Sequence, residues 1–247
     1  MDLTEKAARL RSLHRRGDPL VLVNAWDVAS AGRVVAAGGR VVATSSVAVA
    51  ASLGLPDDPS TPRGPMFDAI GRIAGAVDVP VTADLLDGYG LDPADLVDRL
   101  LATGAVGCNL EDSDHAHPGE LLDPDLVADR IAAVRGAATR TGVDVVVNAR
   151  IDSYLHKGPE ATADVLSRAR RYLDAGADCV YPIRLTDPDT VAHLVERLDA
   201  AVNANVSPQG SVADLAAAGA SRISIGPRAL HAALAAVDRL AAELLTA

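Results

Sequence analysis

The chain has 247 residues, of which 49% are hydrophobic and only 2% aromatic, so a large core must be built from Ala, Val, Leu and Ile. Its 33 acidic and 23 basic residues give a formal charge of −10, which argues against nucleic acid and anionic membranes as partners. No apolar run approaches the roughly 18 residues of a membrane span. The charged start, Met1 to Arg16, has no signal-peptide core, so a cytoplasmic location is expected.

A helix-like leader occupies residues 1–17. Strand-like runs follow at 20–27, 41–46, 79–85, 105–112, 143–152, 177–183, 201–206 and 222–226. Amphipathic helical stretches alternate with them at 29–37, 65–76, 93–103, 124–141, 159–174, 187–199 and 211–218, with a last one at 228–245. Asp92-Pro93, Asp123-Pro124 and Asp187-Pro188 each place an N-cap acceptor before a first-turn proline. Gly104, Gly142, Gly176 and Gly219 fall where a helix must stop before the next strand. Strict strand–helix alternation means parallel strands joined by right-handed crossovers. Eight such units predict one (β/α)8 TIM barrel domain over residues 1–247. Asn24-Ala25-Trp26-Asp27 stands where a dinucleotide-binding fold would carry its glycine-rich loop.

The strand ends carry the chemistry. A buried parallel strand should be apolar throughout. Here two of them close on Asn109-Leu110-Glu111-Asp112 and Asn148-Ala149-Arg150-Ile151-Asp152, with polar groups at every second residue and so on one face. The C-terminal ends of the strands are where such a barrel keeps its active site. Asp57, Asp84 and Glu111 are three carboxylates from successive strand ends, and a hard divalent cation, Mg²⁺ above all, would neutralise them. Arg150 is placed to clamp an anionic substrate, or else to pair with Glu111 or Asp152. Metal and arginine around a 2-oxo acid would stabilise an enolate.

Other residues are read with their plainer alternatives beside them. Asp57 stands in a Pro/Gly loop and could simply form a turn. Asp112 and Asp152 could orient neighbours, and Asn203 could contact substrate or satisfy the barrel interior. His115 and His117 lie in a polar loop after the fourth run, as a weak zinc-pair signal, as acid/base groups or as solvated side chains. Ser224-Ile225-Gly226-Pro227 is a weak phosphate-site signal. Cys108 and Cys179 fall inside strands and read as inert core thiols. Of the basic residues only Lys6 and Lys157 are lysine, and neither is placed for a Schiff base inside the barrel.

Taken in order, Asn-Ala-Trp-Asp (24–27), Thr-Ser-Ser (44–46), Gly-Leu-Pro-Asp (54–57), Thr-Ala-Asp-x-x-x-Gly-Tyr-Gly (82–90), Asn-Leu-Glu-Asp (109–112), Asn-Ala-Arg-x-Asp (148–152) and Arg-Ile-Ser-Ile-Gly-Pro (222–227) resemble the isocitrate lyase/phosphoenolpyruvate mutase superfamily, and its small phosphonomutase-like members most of all. The resemblance runs from about residue 20 to 230. It implies a barrel that binds Mg²⁺ through Asp84 and Glu111 with Asp57 nearby, and a small anionic 2-oxo acid through Arg150, Ser45 and Ser46. Members cleave C–C bonds to a 2-oxo acid, hydrolyse oxaloacetate, or move a phosphoryl group between carbon and oxygen. They are commonly homo-oligomers that exchange a C-terminal helix.

Two departures stand out. The family often has a second acid where Leu86 stands here, with Asp87 one residue later. The lyases' gating loop reads Lys-x-Cys-Gly-His, whereas residues 113–119 contain neither Lys nor Cys, which leaves His115 or His117 to carry protons. The expectation is a Mg²⁺-dependent lyase or mutase acting on the C–C or C–P bond of a small 2-oxo acid. The alternatives are an oxaloacetate-type hydrolase or decarboxylase, or a non-catalytic barrel that binds a dicarboxylate.

Overall fold

Parallel strands alternate with helices throughout the computed structural model, which describes residues 1–58 and 60–245. The strands are β1 (Leu20–Leu22), β2 (Asn24–Ala25), β3 (Val42–Thr44), β4 (Val81–Asp84), β5 (Gly107–Glu111), β6 (Val146–Ile151), β7 (Cys179–Pro182), β8 (Asn203–Asn205) and β9 (Arg222–Ser224). Hydrogen-bonded neighbours run β2-β3-β4-β5-β6-β7 on one side and β1-β9-β8 on the other. Val23 alone separates β1 from β2, so the single run expected at 20–27 turns from one partner to another part-way along. Between β7 and β8 the ladder thins to one parallel bridge, Val180 opposite Val202. The architecture is the expected (β/α)8 barrel.

The covering helices are α2 (Val28–Ala36), α4 (Arg63–Gly75), α5 (Pro93–Ala102), α6 (Pro124–Thr141), α8 (Thr162–Asp174), α9 (Pro188–Leu198), α10 (Val212–Ala217) and α11 (Arg228–Leu245). Asp92, Asp123 and Asp187 accept from backbone N–H groups of the first turns of α5, α6 and α9, as the Asp-Pro pairs predict. Ahead of the barrel, α1 (Leu3–Ser12) closes its N-terminal end, with Leu10 fully buried. Arg11 and Arg135 both bond Asp178 there, and Asp178 in turn accepts from the Val147 N–H.

Two short helices were not legible as helical periods. One, α3 (Ser46–Leu53), follows β3 directly where a loop was expected. The other, α7 (Ser153–Lys157), follows β6 and is tied to α8 by the Ser153 hydroxyl on Asp164, 2.7 Å. Among the described residues no helix is long and apolar enough to cross a membrane. Along α11 only Leu230 is buried, and Leu234, Val237, Leu240 and Leu244 are exposed.

Candidate active site

Strand register sets out the site in layers. Asp84 lies opposite Asn109, and Asn109 opposite Asn148. One step towards the strand ends, Glu111 lies opposite Arg150, and Arg150 opposite Tyr181. Side chains from neighbouring strands at one level point the same way into a barrel. Above them opens a cavity of about 450 Å³ that Ser45, Ser46, Asp57, Asp84, Glu111, His115 and Arg150 all line.

The Asp84 end is organised by α3. Ser45 is its N-cap, its hydroxyl taking the Ala48 N–H. The next residue turns both its N–H and its hydroxyl to Asp84 Oδ2, each at 3.1 Å, and that hydroxyl also stands 3.3 Å from Asp57 Oδ2. The positive end of a helix thus faces Asp84. Asn109 Nδ2 adds a donor at 3.3 Å. One hydroxyl proton cannot serve two carboxylates at once. Burial of the carboxyl and the charge of Asp84 push the Asp57 pKa up to about 6. A cation held between these oxygens would remove that repulsion, so the donor set fits a hard divalent ion that takes one or two carboxylates and keeps most of its waters.

The Glu111 end is different. Arg150 Nη1 is 2.5 Å from Glu111 Oε2, while Arg150 Nε and Nη2 hold the two oxygens of Asp152 at 2.7 and 2.9 Å. His115 Nε2 stands 2.9 Å from Glu111 Oε1. Burial pushes the Glu111 carboxyl up, and Arg150 and His115 pull it back. The same contact with Glu111 raises His115. Glu111 is thus engaged by Arg150 and His115, and among the described residues no three His, Cys, Asp or Glu side chains gather around one point. Arg150 makes the internal pairs that were the plainer of its two readings.

Several expectations separate here. His117 points to solvent and pairs with Asp114 at 2.9 Å, outside the cavity. The two loop histidines therefore stand apart, one on Glu111 and one in solvent. Asn203 is buried inside the barrel, where its Nδ2 donates to Ser224 Oγ and its Oδ1 accepts from Asn148, so it satisfies the interior. Asp112 is fully enclosed and anchors the strand ends, accepting from the Asp152 N–H, Tyr172 and Arg168. Leu86 is buried against the cavity at φ 52°, a left-handed backbone that a branched side chain rarely adopts. Asp87 does not line the cavity, and its carboxylate accepts from the Tyr89 N–H. Both cysteines are buried and burial pushes each thiol up to about 12, as inert core groups should be.

Three cavity groups escaped the sequence reading. Arg222 is 2% exposed, and its Nη2 donates to Asn109 Oδ1. Its position at the start of a strand gave no sign that it points inward. Ser113 donates to Asp152 at 2.6 Å, and its oxygen lies 2.9 Å from His156 Nε2. A lone histidine on an unrecognised five-residue helix offers no periodic signal.

A model of the family described as phosphoenolpyruvate phosphomutase matches residues 10–245. A protein of Mycobacterium tuberculosis (strain ATCC 25618 / H37Rv), named only as uncharacterised, is 35% identical over 234 residues, which cover 92% of this chain and 88% of that one. Among solved structures, one from Burkholderia cenocepacia J2315, provisionally named a phosphonomutase, superposes with a TM-score of 0.89 at 40% identity, covering 98% of this chain and 99% of that one. A 2,3-dimethylmalate lyase of the phosphoenolpyruvate mutase/isocitrate lyase superfamily gives 0.87 at 28% identity, covering 98% and 87%.

Proposed function

The chain belongs to the phosphoenolpyruvate phosphomutase family, whose members are lyases and mutases acting on small acids, and from that premise we propose that it cleaves or forms the C–C bond of a small 2-oxo acid with the help of Mg²⁺. The observation that carries this reading is the Ser46 hydroxyl shared by Asp57 and Asp84, at the mouth of a cavity that also holds Arg150. Asp84, with Asp57 beside it, would hold the ion, and Glu111 on the next strand adds a third negative charge to the same cavity. When bound, Mg²⁺ supplies charge stabilisation to the oxygens of an enolate.

The chain's own residues do the rest. Arg150, fixed between Glu111 and Asp152, presents a rigid guanidinium to the substrate's negative charge, and that rigidity limits reorganisation during reaction. His115, on the arm above Glu111, takes or returns the proton on the substrate oxygen. Ser45 and Ser46 stand where a substrate carboxylate meets the N-terminus of α3. The arm of residues 113–121, pinned at its root by the Ser113–Leu121 bridge, shields the reaction from water.

The test is product analysis by NMR after incubation with Mg²⁺ and, in turn, 2,3-dimethylmalate, oxaloacetate and phosphonopyruvate. Release of a 2-oxo acid from the first supports the lyase reading. Conversion of oxaloacetate alone would move the assignment to a hydrolase or decarboxylase, and rearrangement of phosphonopyruvate to a mutase. Binding of all three without conversion would make the barrel a dicarboxylate-binding protein. The same reading includes a cytoplasmic homo-oligomer, dimer or tetramer, and the exposed leucines of α11 support the oligomer. A monomer by light scattering would remove that part.

A further inference from the structure

The lyase-type reading leaves one chemical need unmet. When the bond to C3 of a 2-oxo acid breaks, the electron pair stays on C3 as an enolate, and C3 must receive a proton. His115 is bound to Glu111, and His117 lies outside the cavity. A different imidazole reaches the site through a hydroxyl. His156, on α7, lies with Nε2 2.9 Å from Ser113 Oγ, and Ser113 Oγ donates to Asp152 Oδ2 at 2.6 Å. All three residues line the cavity.

The proton positions follow by elimination. Both oxygens of Asp152 accept from Arg150, which marks the carboxylate as ionised and an acceptor only. Ser113 must therefore give its single hydroxyl hydrogen to Asp152 and can offer His156 only a lone pair. It follows that Nε2 of His156 carries a hydrogen and donates to Ser113. The result is a directed chain, His156 to Ser113 to Asp152, with Arg150 fixing its far end. Both ends are built to stay in place. Ser113 is 8% exposed and sits at the root of its arm, bridged to Leu121, while α7 is fastened to α8 through Ser153 and Asp164. His156 itself is only partly buried, so it can exchange protons with water.

We propose that Ser113 and His156 form the proton relay that serves the reacting carbon of the bound 2-oxo acid, Ser113 touching the carbon and His156 recharging it. In the cleavage direction the bond to C3 of the 2-oxo acid breaks, its electron pair stays on C3 as the enolate, and the other carbon departs without the pair, as CO₂ from an oxaloacetate-type acid. The Ser113 hydroxyl proton swings from Asp152 to C3, and the Nε2 proton of His156 moves to Ser113 Oγ while Nδ1 takes a proton from water. Run backwards, the same relay removes a proton from the methyl carbon of pyruvate.

Pyruvate in D₂O with Mg²⁺ therefore provides the assay, with methyl exchange followed by NMR and oxalate binding measured calorimetrically on the same samples. His156→Gln keeps an N–H donor towards Ser113 but cannot relay, and Ser113→Ala removes the hydroxyl. Each should lower the exchange rate by about 10²–10⁴-fold, the range for a positioned proton carrier, with oxalate affinity unchanged. Ser113→Thr, which restores a hydroxyl, should recover part of the rate. Exchange at the wild-type rate in His156→Gln or Ser113→Ala overturns the relay. So does a wild-type protein that binds oxalate with Mg²⁺ yet exchanges nothing. Failure of the wild type both to bind oxalate and to exchange would instead overturn the enolate-site reading on which the relay rests.

Discussion

Replacing Arg150 by Met should cost the fold dearly, and the cost should depend on pH. The guanidinium is 13% exposed as a side chain, and the carboxylates it holds, Glu111 and Asp152, are 3% and 0% exposed. Met fills similar volume but leaves both acids buried without their cation. Breaking a buried pair by removing one partner costs about 3–5 kcal/mol. Against a total stability of about 5–15 kcal/mol for a domain, that is about a fifth or more. Burial already pushes the Glu111 carboxyl up in the wild type, and without Arg150 only His115 opposes it. A carboxyl raised above its unfolded value binds its proton more tightly in the folded state. The added deficit is therefore full above the folded-state pKa, fades as pH falls through it, and is gone below the unfolded one. Urea unfolding of both proteins at about pH 8 and about pH 5 measures this, with the shortfall smaller at the acid value. A loss under about 1 kcal/mol near neutrality would refute the view that Arg150 is what makes these acids tolerable. A shortfall that grows on acidification would refute it equally.

Three further outcomes are expected. Asp57, raised to about 6, must lose its proton to hold a cation, so Mg²⁺-dependent oxalate affinity should fall about tenfold per unit below that pH. Asp57→Asn should flatten the profile, and an unchanged slope in that variant would assign the titration elsewhere. At Gly107 an added Cβ would lie 2.6 Å from Leu10 Cδ2 and 3.1 Å from Thr82 Oγ1 and the Val146 carbonyl, so Gly107→Ala should destabilise by about 1–3 kcal/mol in urea unfolding. His117→Ala should leave pyruvate methyl exchange unchanged, whereas His115→Gln should slow conversion of whichever acid is turned over by about 10²-fold or more. Equal effects of the two would mean that the loop histidines act as a pair after all.

What the sequence made legible is what periodicity and capping encode. Eight strand runs and the Asp-Pro helix starts appear at their expected places, because each is a local preference that the barrel leaves undisturbed. Of the polar residues at alternate positions of 109–111 and 148–152, Asn109, Glu111, Arg150 and Asp152 likewise do face one cavity, since a strand's side chains alternate by geometry alone, while Asn148 is enclosed in the barrel against Asn109 and Asn203. What stayed hidden was set by contacts distant in sequence. The run at 20–27 divides because its two halves pair with strands near opposite ends of the chain. Arg150 turns to Glu111 and Asp152, the acids its strand pattern offered, but the pattern alone does not choose between those pairs and a substrate. His115 and His117 look alike in sequence, yet one meets Glu111 across the turn and the other faces water. Ser113 and His156 are 43 residues apart and come together because they follow the neighbouring strands β5 and β6.

The central claim is a metal-assisted enolate site centred on Asp84. Oxalate, a planar dianion resembling the enolate of a 2-oxo acid, tests it by calorimetric titration with and without Mg²⁺, on the wild type and on Asp84→Ala. The account predicts binding that requires Mg²⁺ and is lost in the variant. Binding that ignores the metal, or that survives loss of Asp84, would contradict it.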